Sequence, residues 1–333
     1  MNAVFVTGVE LGCHALRGLL DSTAYASGEI RLSAVIGLDE EKSAQTVGYR
    51  SAWHLSQKAG IPFHCVNSIT TEQVFRKVTQ MAPDLIFIIG WSELARSEFL
   101  DIPKTKHCSA QRHGCAHGCI GMHPTLLPYG RGRAPIPWSI IHGLPTSGVT
   151  MFYLEDEADA GDIIAQREFP IEINDDAFSV YAMVADLHYA MMRDTVPLLV
   201  QGTAGRTAQD ASTATVWRRR TPEDGIIDWR KGNIEQYNWI RALTHPYPGA
   251  RTLWRGRMLT IWKAKPRAVA TSACPGSVIA LSHESVTVAC SVGAVDLFRL
   301  QMEDEPELDA GAFAARYGLD VMDSFGAAEG GGK

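Results

Sequence analysis

The feature that most constrains the fold is an alternation of short apolar runs with helical patterns through the first 170 residues. Leu11, Leu16 and Leu19 recur at a spacing near 3.6 residues, and so do Val74 and Val78 further along the chain. Runs of β-branched and aliphatic residues, typical of buried strands, lie at residues 3–6, 30–36, 61–66, 85–89 and 149–154. Strands joined by helical crossovers predict an α/β fold with a doubly wound, mostly parallel, Rossmann-like sheet.

Ligands of such a sheet lie beyond the carboxyl ends of its strands. The candidate site is therefore expected in the segments after Ile89, Ile120 and Leu154. The turn after the first strand, Gly8-Val9-Glu10-Leu11-Gly12, lacks the G-x-G-x-x-G spacing that binds a dinucleotide pyrophosphate. The sequence therefore disfavours a nicotinamide-dependent enzyme.

The chain changes character after a long helical pattern that runs from Asp176 to about Val200. Residues 203–216 are rich in Thr, Ala, Gly and Ser, which is typical of a linker, and short strand-like runs at regular spacing follow, as in a small β-barrel. A chain of 333 residues is also longer than one hydrophobic core usually organises. We predict a catalytic domain at 1–205, a linker at 206–222, a β-barrel domain at 223–320 and a disordered tail at 321–333.

Charge is distributed unevenly along the chain. The formal net charge is −6, yet residues 206–267 hold 13 Lys/Arg against 5 Asp/Glu, a local balance of +8. Such a stretch suits an anionic partner, either nucleic acid or a phosphorylated small molecule. No apolar run approaches the ~20 residues of a membrane-spanning helix, and the first ten residues do not resemble a signal peptide. We therefore expect a cytoplasmic protein with no membrane partner.

Two blocks of sequence carry candidate chemistry. In the first, residues 118–135, His123 directly follows a strand-like run and precedes Pro124, which restricts its backbone. In the second, residues 146–166, an acidic loop between two strand-like runs contains Asp159. A carboxylate beside an imidazole stabilises the protonated ring, so the two side chains are suited to shuttling a proton near neutral pH.

These blocks resemble the catalytic region of the 10-formyltetrahydrofolate-dependent formyltransferases. That family's pattern, Asn-x-His-Pro-Ser/Thr-Leu-Leu-Pro-x-x-Arg-Gly, matches residues 121–132 except at its first position. The family's Thr-Gly-Val-Thr element matches residues 147–150 except at its first position, where this chain has Ser147, and its Asp-x-Gly element matches residues 159–161. Residues 219–224 and 240–250 are similar to the opening of the family's C-terminal domain, which implies an OB-like barrel there.

Carried over by position, the resemblance implies that His123 and Asp159 are catalytic and manage protons while a neutral amine attacks the formyl carbon. The asparagine that the family uses as an oxyanion donor is replaced by Gly121, and losing one such donor commonly costs on the order of a hundredfold in rate.

The resemblance also implies binding sites for the two substrates. An apolar slot with backbone donors and acceptors suits the pterin of the folate. The residues themselves leave two interpretations of Arg131 and Arg133: they are solvated surface charges, or they lie in the mouth of the site and hold a substrate phosphate, which is the role we assign them. The expected folate-binding residues are Ile89, Gly90, Trp91, Ser92, Leu94, Asp156, Glu157 and Ala158.

The activity implied is N-formyl transfer from 10-formyltetrahydrofolate, as co-substrate, to a primary amine of a small molecule, with no metal. A nucleotide-linked amino sugar or a hydroxyornithine-type amine is the expected acceptor. Methionyl-tRNA formyltransferase is the alternative that the basic stretch supports, although the chain as a whole is acidic. A folate-binding regulator or a formyltetrahydrofolate hydrolase is a further alternative, since the asparagine is missing. The sequence does not indicate an oligomeric state.

One cysteine- and histidine-rich stretch has no counterpart in the family pattern. It contains His107, Cys108, His113, Cys115, His117 and Cys119. These are soft metal ligands, but C-x6-C-x3-C is not one of the common zinc spacings, which favours a surface loop over a metal site.

Overall fold

The computed structural model describes residues 1–105 and 117–326. The chain divides into two compact units, each built from three stretches of sequence. The first unit comprises Met1–Pro135, Thr146–Pro170 and Tyr181–Arg218, and the second comprises Ile136–Pro145, Ile171–Val180 and Arg219–Lys333. Within the described part of the chain, no helix is long and apolar enough to cross a membrane.

The strands of the first unit are mostly short and apolar. They are β1 (Asn2–Thr7), β2 (Arg31–Leu38), β3 (Phe63–Val66), β4 (Leu85–Ile88), β5 (Gly118–His123), β6 (Arg131–Gly132), β7 (Thr146–Tyr153), β8 (Ile163–Pro170) and β9 (Val216–Trp217). Seven of those described form one sheet in the order β3-β2-β1-β4-β5-β7-β8, and β6 pairs with β9. Pairing is parallel from β3 to β5 and antiparallel from β5 to β8.

The helices are α1 (Glu10–Leu20), α2 (Thr23–Ala26), α3 (Trp53–Lys58), α4 (Glu72–Met81), α5 (Ser97–Leu100), α6 (Pro135–Ile141), α7 (Ala177–Gln201), α8 (Asn233–Leu243) and α9 (Ala310–Tyr317). Short 3-10 helices span Glu40–Gln45, Ile102–Thr105, Ala211–Thr213 and Pro222–Gly225. Helix α4 shows how local sequence sets these bounds: the Thr71 side chain accepts a hydrogen bond from the backbone N–H of Val74, which caps the first turn.

The core of the first unit lies on the central parallel strands. All four residues of β4 are buried, and Val4 and Val6 of β1 pack in one cluster with Val74 and Val78 of α4. Parallel strands covered on both faces read as continuous apolar runs, which is why residues 85–88 show no alternation. The crossover helices bury their apolar stripe against this sheet and leave its carboxyl edge to the loops.

The second unit contains an antiparallel sheet whose strands are β10 (Ala250–Trp254), β11 (Arg257–Arg267), β12 (Val278–Leu281), β13 (Val286–Ala289), β14 (Ala294–Met302) and β15 (Leu308–Asp309). The hydrogen-bonded order of the described strands is β10-β11-β14-β13-β12, with β15 on β14. A mostly parallel sheet followed by a separate antiparallel sheet confirms the predicted fold class.

The predicted linker at 206–222 is not a free connection over most of its length, because residues 206–218 belong to the first unit. Thr207 forms a two-way backbone bridge with Ile163, and β9 pairs with β6. Composition alone predicted a linker, but these backbone hydrogen bonds are set by the partner strands. Residues 136–145 and 171–180, predicted inside the catalytic domain, group with the second unit.

The prediction of a disordered tail from residue 321 onward is wrong for residues 321–326. Phe325 is 2% exposed, and its ring lies 6.0 Å from that of Trp229 and 6.5 Å from that of Trp254. Its backbone N–H also donates to the carbonyl of Gly276. Residues 321–326 are therefore packed on the second unit, and residues 327–333 lie outside the described part of the chain.

Candidate functional site

His123 is the last residue of β5, a strand whose six residues are all buried. Its Nε2 lies 2.8 Å from the carbonyl oxygen of Gly130, and the ring is almost fully enclosed. A carbonyl only accepts hydrogen bonds, so this contact requires the proton on Nε2. In the neutral ring, Nδ1 therefore carries the lone pair and is the atom that can take a proton.

Asp159 faces that nitrogen. Its Oδ2 lies 3.7 Å from Nδ1 of His123 and accepts a 2.8 Å hydrogen bond from the backbone N–H of Gly132. Asp159 itself has a φ of 56°, in the left-handed region that an aspartate adopts more readily than most residues. The loop between β7 and β8 thus brings together the two side chains predicted to be catalytic.

The loop that contains Gly130 is fixed by Thr150, which sits opposite His123 across the β5–β7 pair. The Thr150 hydroxyl donates to the carbonyl of Thr125 at 2.7 Å and accepts from the N–H of Leu127 at 3.1 Å. Both ends of the turn after His123 are therefore hydrogen-bonded to the neighbouring strand. Gly148-Val149-Thr150 is visible in the sequence as a motif, but the bridging role of its threonine is visible only in the structure.

Gly121 stands where the family pattern has asparagine. It pairs with Phe152, and an ideal Cβ on Gly121 would lie 2.7 Å from Cδ2 of Leu154 and 3.4 Å from Cε1 of Phe152. A contact of 2.7 Å is too close for two carbon atoms, so Leu154 fills the space that a side chain at this position would enter. Glycine at position 121 of β5 thus allows the Leu154 side chain, directly after β7, to pack against this strand.

The loop after β4 holds most of the predicted folate-binding residues. Because β4 and β5 are parallel neighbours, this loop leaves the sheet at the same edge as His123. Ile89 is buried, Gly90 has a φ of 68°, Trp91 is half-buried, and Ser92 and Leu94 are exposed. The Leu94 side chain is 67% accessible, so this loop presents an apolar side chain beside the carboxyl edge.

Glu93 organises the same loop, a role that the sequence did not indicate. Its carboxylate accepts hydrogen bonds from Ser68 Oγ at 2.7 Å, Ile69 N at 2.9 Å, Thr70 Oγ1 at 3.0 Å and Trp91 Nε1 at 3.3 Å. Partial burial acts to raise the pKa of Glu93, but these donated hydrogen bonds outweigh it and leave the pKa below its ordinary value. An ionised Glu93 therefore ties the Trp91 loop to the segment after β3.

The other predicted folate-binding residues, Asp156, Glu157 and Ala158, are exposed in the β7–β8 loop that carries Asp159. Glu157 contacts Nη1 of Arg131 at 3.1 Å, so part of this acidic loop is tied to the segment after His123. The structure thus places these residues on the same loop as a predicted catalytic side chain.

The two arginines predicted to hold a substrate phosphate differ in their surroundings. Arg131 is 5% exposed, and its guanidinium donates to Gln209 through Nε and Nη2 and to Glu157 through Nη1. As placed, its charge is used inside the protein and not presented to a ligand. Arg133, two residues later, is exposed.

The cysteine- and histidine-rich stretch falls largely outside the described residues, which exclude His107, Cys108, His113 and Cys115. Of its remaining members, Cys119 is buried within β5, and its Sγ contacts the carbonyl of Leu100 at 3.7 Å. Among the residues that the structure does describe, no group of three His, Cys, Asp or Glu side chains is arranged to hold a metal ion.

The chain is similar to known proteins over nearly its whole length. The chain is 31% identical over 318 residues, 95% of both chains, to the methionyl-tRNA formyltransferase of Geotalea uraniireducens. Among solved structures it resembles WlaRD, a sugar 3N-formyl transferase, with a TM-score of 0.63, 15% identity and coverage of 92% of this chain and 99% of that one. It also resembles HypX from Aquifex aeolicus, with a TM-score of 0.62 and 18% identity over 97% of this chain, and spans about half of that protein, 49%.

Two family models match the chain in sequence order. The model described as formyl transferase matches residues 52–196, and the model described as formyl transferase, C-terminal domain, matches residues 219–318. Together they match parts of both structural units, and the matched residues include His123 and Asp159. The chain belongs to the formyl transferase family.

Proposed function

We propose that this chain is an N-formyltransferase that moves the formyl group of 10-formyltetrahydrofolate to a primary amine of a small molecule, either a nucleotide-linked amino sugar or a hydroxyornithine-type amine. The observation that carries the proposal is the pairing of His123 Nδ1 with Asp159 Oδ2 at 3.7 Å. The bond between His123 Nε2 and Gly130 O leaves Nδ1 as the basic atom.

The reaction uses that pair to move protons. The lone pair of the acceptor amine attacks the formyl carbon, a new C–N bond forms, and the bond from that carbon to N10 of the folate breaks. The amine loses one proton, which Nδ1 of His123 can take, and N10 gains one as it leaves. Between these two proton transfers, the carboxylate of Asp159 stabilises the imidazolium form of His123. The pair of His123 and Asp159 therefore serves both as the base for the amine and as the acid for N10.

The loop after β4 supports the folate part of the proposal. Four hydrogen bonds to the Glu93 carboxylate link the side chains of Glu93 and Trp91 in this loop to residues 68–70. A loop held in this way, with the apolar side chain of Leu94 exposed, is suited to a flat, partly apolar ring system, because less ordering is needed on binding.

The basic stretch is less basic in its surroundings than its own sequence indicates, because three of its arginines form ion pairs with carboxylates outside it. These pairs are Arg251 with Glu303, Arg255 with Asp323 and Arg267 with Asp296. A reduced local charge favours a small acceptor over a polyanion. In the first unit, exposed Arg133 follows the catalytic loop and is the residue that we assign to a substrate phosphate.

Methionyl-tRNA formyltransferase is the second candidate. The observation in its favour is the similarity over nearly the whole chain to an enzyme of that name. If tRNA is the acceptor, binding must weaken steeply as salt rises, because neutralising phosphates releases counterions. A small amine carrying one or two phosphates would show a much shallower salt response.

The test is release of tetrahydrofolate from 10-formyltetrahydrofolate in the presence of nucleotide amino sugars, hydroxyornithine or charged initiator tRNA. Release with one small amine, abolished in His123→Gln and retained in His283→Gln, is the expected result; His283 is a matched control because its side chain is 90% exposed. Release with tRNA alone would make this an initiation enzyme. Release without an amine would make it a hydrolase, and folate binding without release would make it a regulator.

A further inference from the structure

The segment that composition predicted to be a linker runs along the catalytic loop. We call residues 207–217 the clasp segment. The N–H of Gly130 donates to Thr215 Oγ1 at 2.8 Å, the N–H of Arg131 to the carbonyl of Thr215 at 2.9 Å, and the N–H of Arg133 to the carbonyl of Trp217 at 3.0 Å. Three of the four successive residues 130–133 therefore donate backbone hydrogen bonds to the clasp segment. These residues belong to the loop whose Gly130 carbonyl accepts from His123 Nε2.

Gln209 connects this loop to the loop of Asp159. Its Oε1 accepts from Nε of Arg131 at 3.1 Å and from Nη2 at 2.9 Å. Its Nε2 donates to the carbonyls of Asp159 and Gly161, both at 2.8 Å. The orientation of the amide follows from chemistry, since a guanidinium only donates and carbonyls only accept.

The two hydrogen bonds that Gln209 donates hold a part of the β7–β8 loop whose backbone is conformationally restricted. Asp159 has a φ of 56°, and an ideal Cβ on Gly161 would lie 1.9 Å from the carbonyl oxygen of Tyr153, so the chain there is closely packed and uses a sparsely populated conformation. Gln209 binds the carbonyls at Asp159 and two residues later. It thereby fixes the backbone from which the Asp159 carboxylate reaches His123.

The second contact of Arg131 cannot replace Gln209. Arg131 is nearly buried, whereas the side chain of its other partner, Glu157, is 77% exposed, and pairs with such exposed carboxylates contribute little. The enclosed part of the Arg131 guanidinium thus depends on Oε1 of Gln209. The Gln209 side-chain amide therefore has two roles: its oxygen accepts from the buried Arg131, and its nitrogen orders the Asp159 loop.

We propose that Gln209 is a positioning residue for formyl transfer: it sets the Asp159 carboxylate against His123 Nδ1 and is itself outside the reacting atoms. This inference rests on the proposed roles of His123 and Asp159. Misplacing a catalytic group by about 1 Å can cost on the order of a hundredfold in rate. We expect loss of the two donated hydrogen bonds to lower kcat by about 10- to 100-fold while KM for the amine changes less than about threefold.

The informative variant is Gln209→Glu, because a carboxylate still accepts from Arg131 but cannot donate to the carbonyls of Asp159 and Gly161. Gln209→Met, similar in size, removes both sets of contacts. The matched control is Asp210→Ala, the next residue, whose side chain is exposed and bonds only locally to Ser212. We expect Gln209→Glu to fold as the wild type does, to have a lower kcat, and to show a different pH dependence of kcat. We expect Asp210→Ala to have the kcat and pH dependence of the wild type.

A measurement without turnover separates this inference from the proposed function. The NMR spectrum of a protein labelled at histidine, recorded at one fixed pH, reports on the surroundings of the His123 ring. We expect Gln209→Glu, Gln209→Met and Asp159→Asn each to shift the His123 ring resonances, and Asp210→Ala to leave them unchanged, even if no acceptor amine is ever found. His123 resonances and a kcat that match the wild type in folded Gln209→Glu would overturn the inference, and equal losses in Asp210→Ala would reduce Gln209 to a structural role.

Discussion

Gly121 and Leu154 compete for one space: a Cβ on Gly121 would lie 2.7 Å from Cδ2 and 3.3 Å from Cγ of Leu154. The family pattern places an asparagine at position 121, and the leucine here occupies the volume into which that side chain would extend. The two residues therefore form a matched pair, in which the small residue permits the large one. An asparagine at position 121 therefore requires the Leu154 side chain to move.

We predict that Gly121→Asn lowers the free energy of unfolding by about 1–3 kcal/mol, the usual cost of overpacking a core. The cost should be smaller in a Leu154→Ala background, where the side chain has room. Chemical denaturation of the two single variants and the double variant gives the coupling energy directly. Gly28→Asn is the matched control, because nothing lies within 4 Å of its Cβ position and asparagine tolerates its φ of 74°. Additive effects at 121 and 154 would show that the two side chains do not compete.

We predict that Asp159→Asn lowers kcat by about 10²- to 10⁴-fold, the usual contribution of a positioned acid or base. Asparagine keeps an oxygen that can accept from the N–H of Gly132, and it tolerates the left-handed backbone, so the loss should come from the missing charge. Asp304→Asn is the matched control, since Asp304 also has a positive φ of 63° but lies exposed in a turn of the second unit. Steady-state rates with unchanged thermal melting would locate the effect in catalysis; equal rates in Asp159→Asn and wild type would remove Asp159 from the mechanism.

The elements that the sequence predicted correctly are those with a strong local pattern. The runs at 3–6 and 85–89 became β1 and β4 because continuous apolar sequence suits buried parallel strands. The strand before His123 and the acidic loop around Asp159 were likewise legible as motifs. The pattern of strands and loops placed Asp159 beside His123, and the structure gives the distance between Oδ2 and Nδ1 as 3.7 Å.

The features that the sequence did not predict depend on contacts between distant residues. Gln209 lies in a stretch whose composition is that of a linker, and its four hydrogen bonds go to partners about 50 and 78 residues away. Glu93 binds donors from 23 to 25 residues earlier as well as Trp91. Arg131 was predicted to hold a substrate phosphate because its partners Gln209 and Glu157, which are distant in the sequence, cannot be identified from the residues around it. Local composition carries no information about which carbonyl or carboxylate a side chain meets.

We predict that His188 makes the protein less stable in acid. Burial lowers the pKa of His188 to about 4, and the hydrogen bond between Nδ1 and the carbonyl of Val184 opposes this only in part. In the unfolded chain the ring takes up a proton near pH 6.5. The unfolded state therefore binds more protons between pH 6.5 and about 4, so stability is fully present above this window and falls through it, by roughly 3 kcal/mol in all.

Urea denaturation at pH 7, 6, 5 and 4.5 measures this slope. The free energy of unfolding of His188→Gln should fall less steeply with acid than that of the wild type, whatever its value at pH 7, because the group that titrates is gone. His283→Gln, which removes an exposed imidazole, should keep the wild-type slope. Parallel slopes for His188→Gln and the wild type would mean that the buried ring does not control acid stability.

We predict, finally, that Phe325→Ala destabilises the second unit by about 3 kcal/mol. Phe325 is 2% exposed, and its ring packs against Trp229 and Trp254, so truncation removes a large buried aromatic and leaves a cavity between two tryptophans. Val321→Ala, at a position 44% exposed in the same segment, should cost less than about 1 kcal/mol. Denaturation followed by tryptophan fluorescence measures both, and it reports directly on the rings that Phe325 contacts. If Phe325→Ala were as stable as Val321→Ala, residues 321–326 would contribute nothing to the core, and the original expectation of a tail beginning at residue 321 would hold in solution.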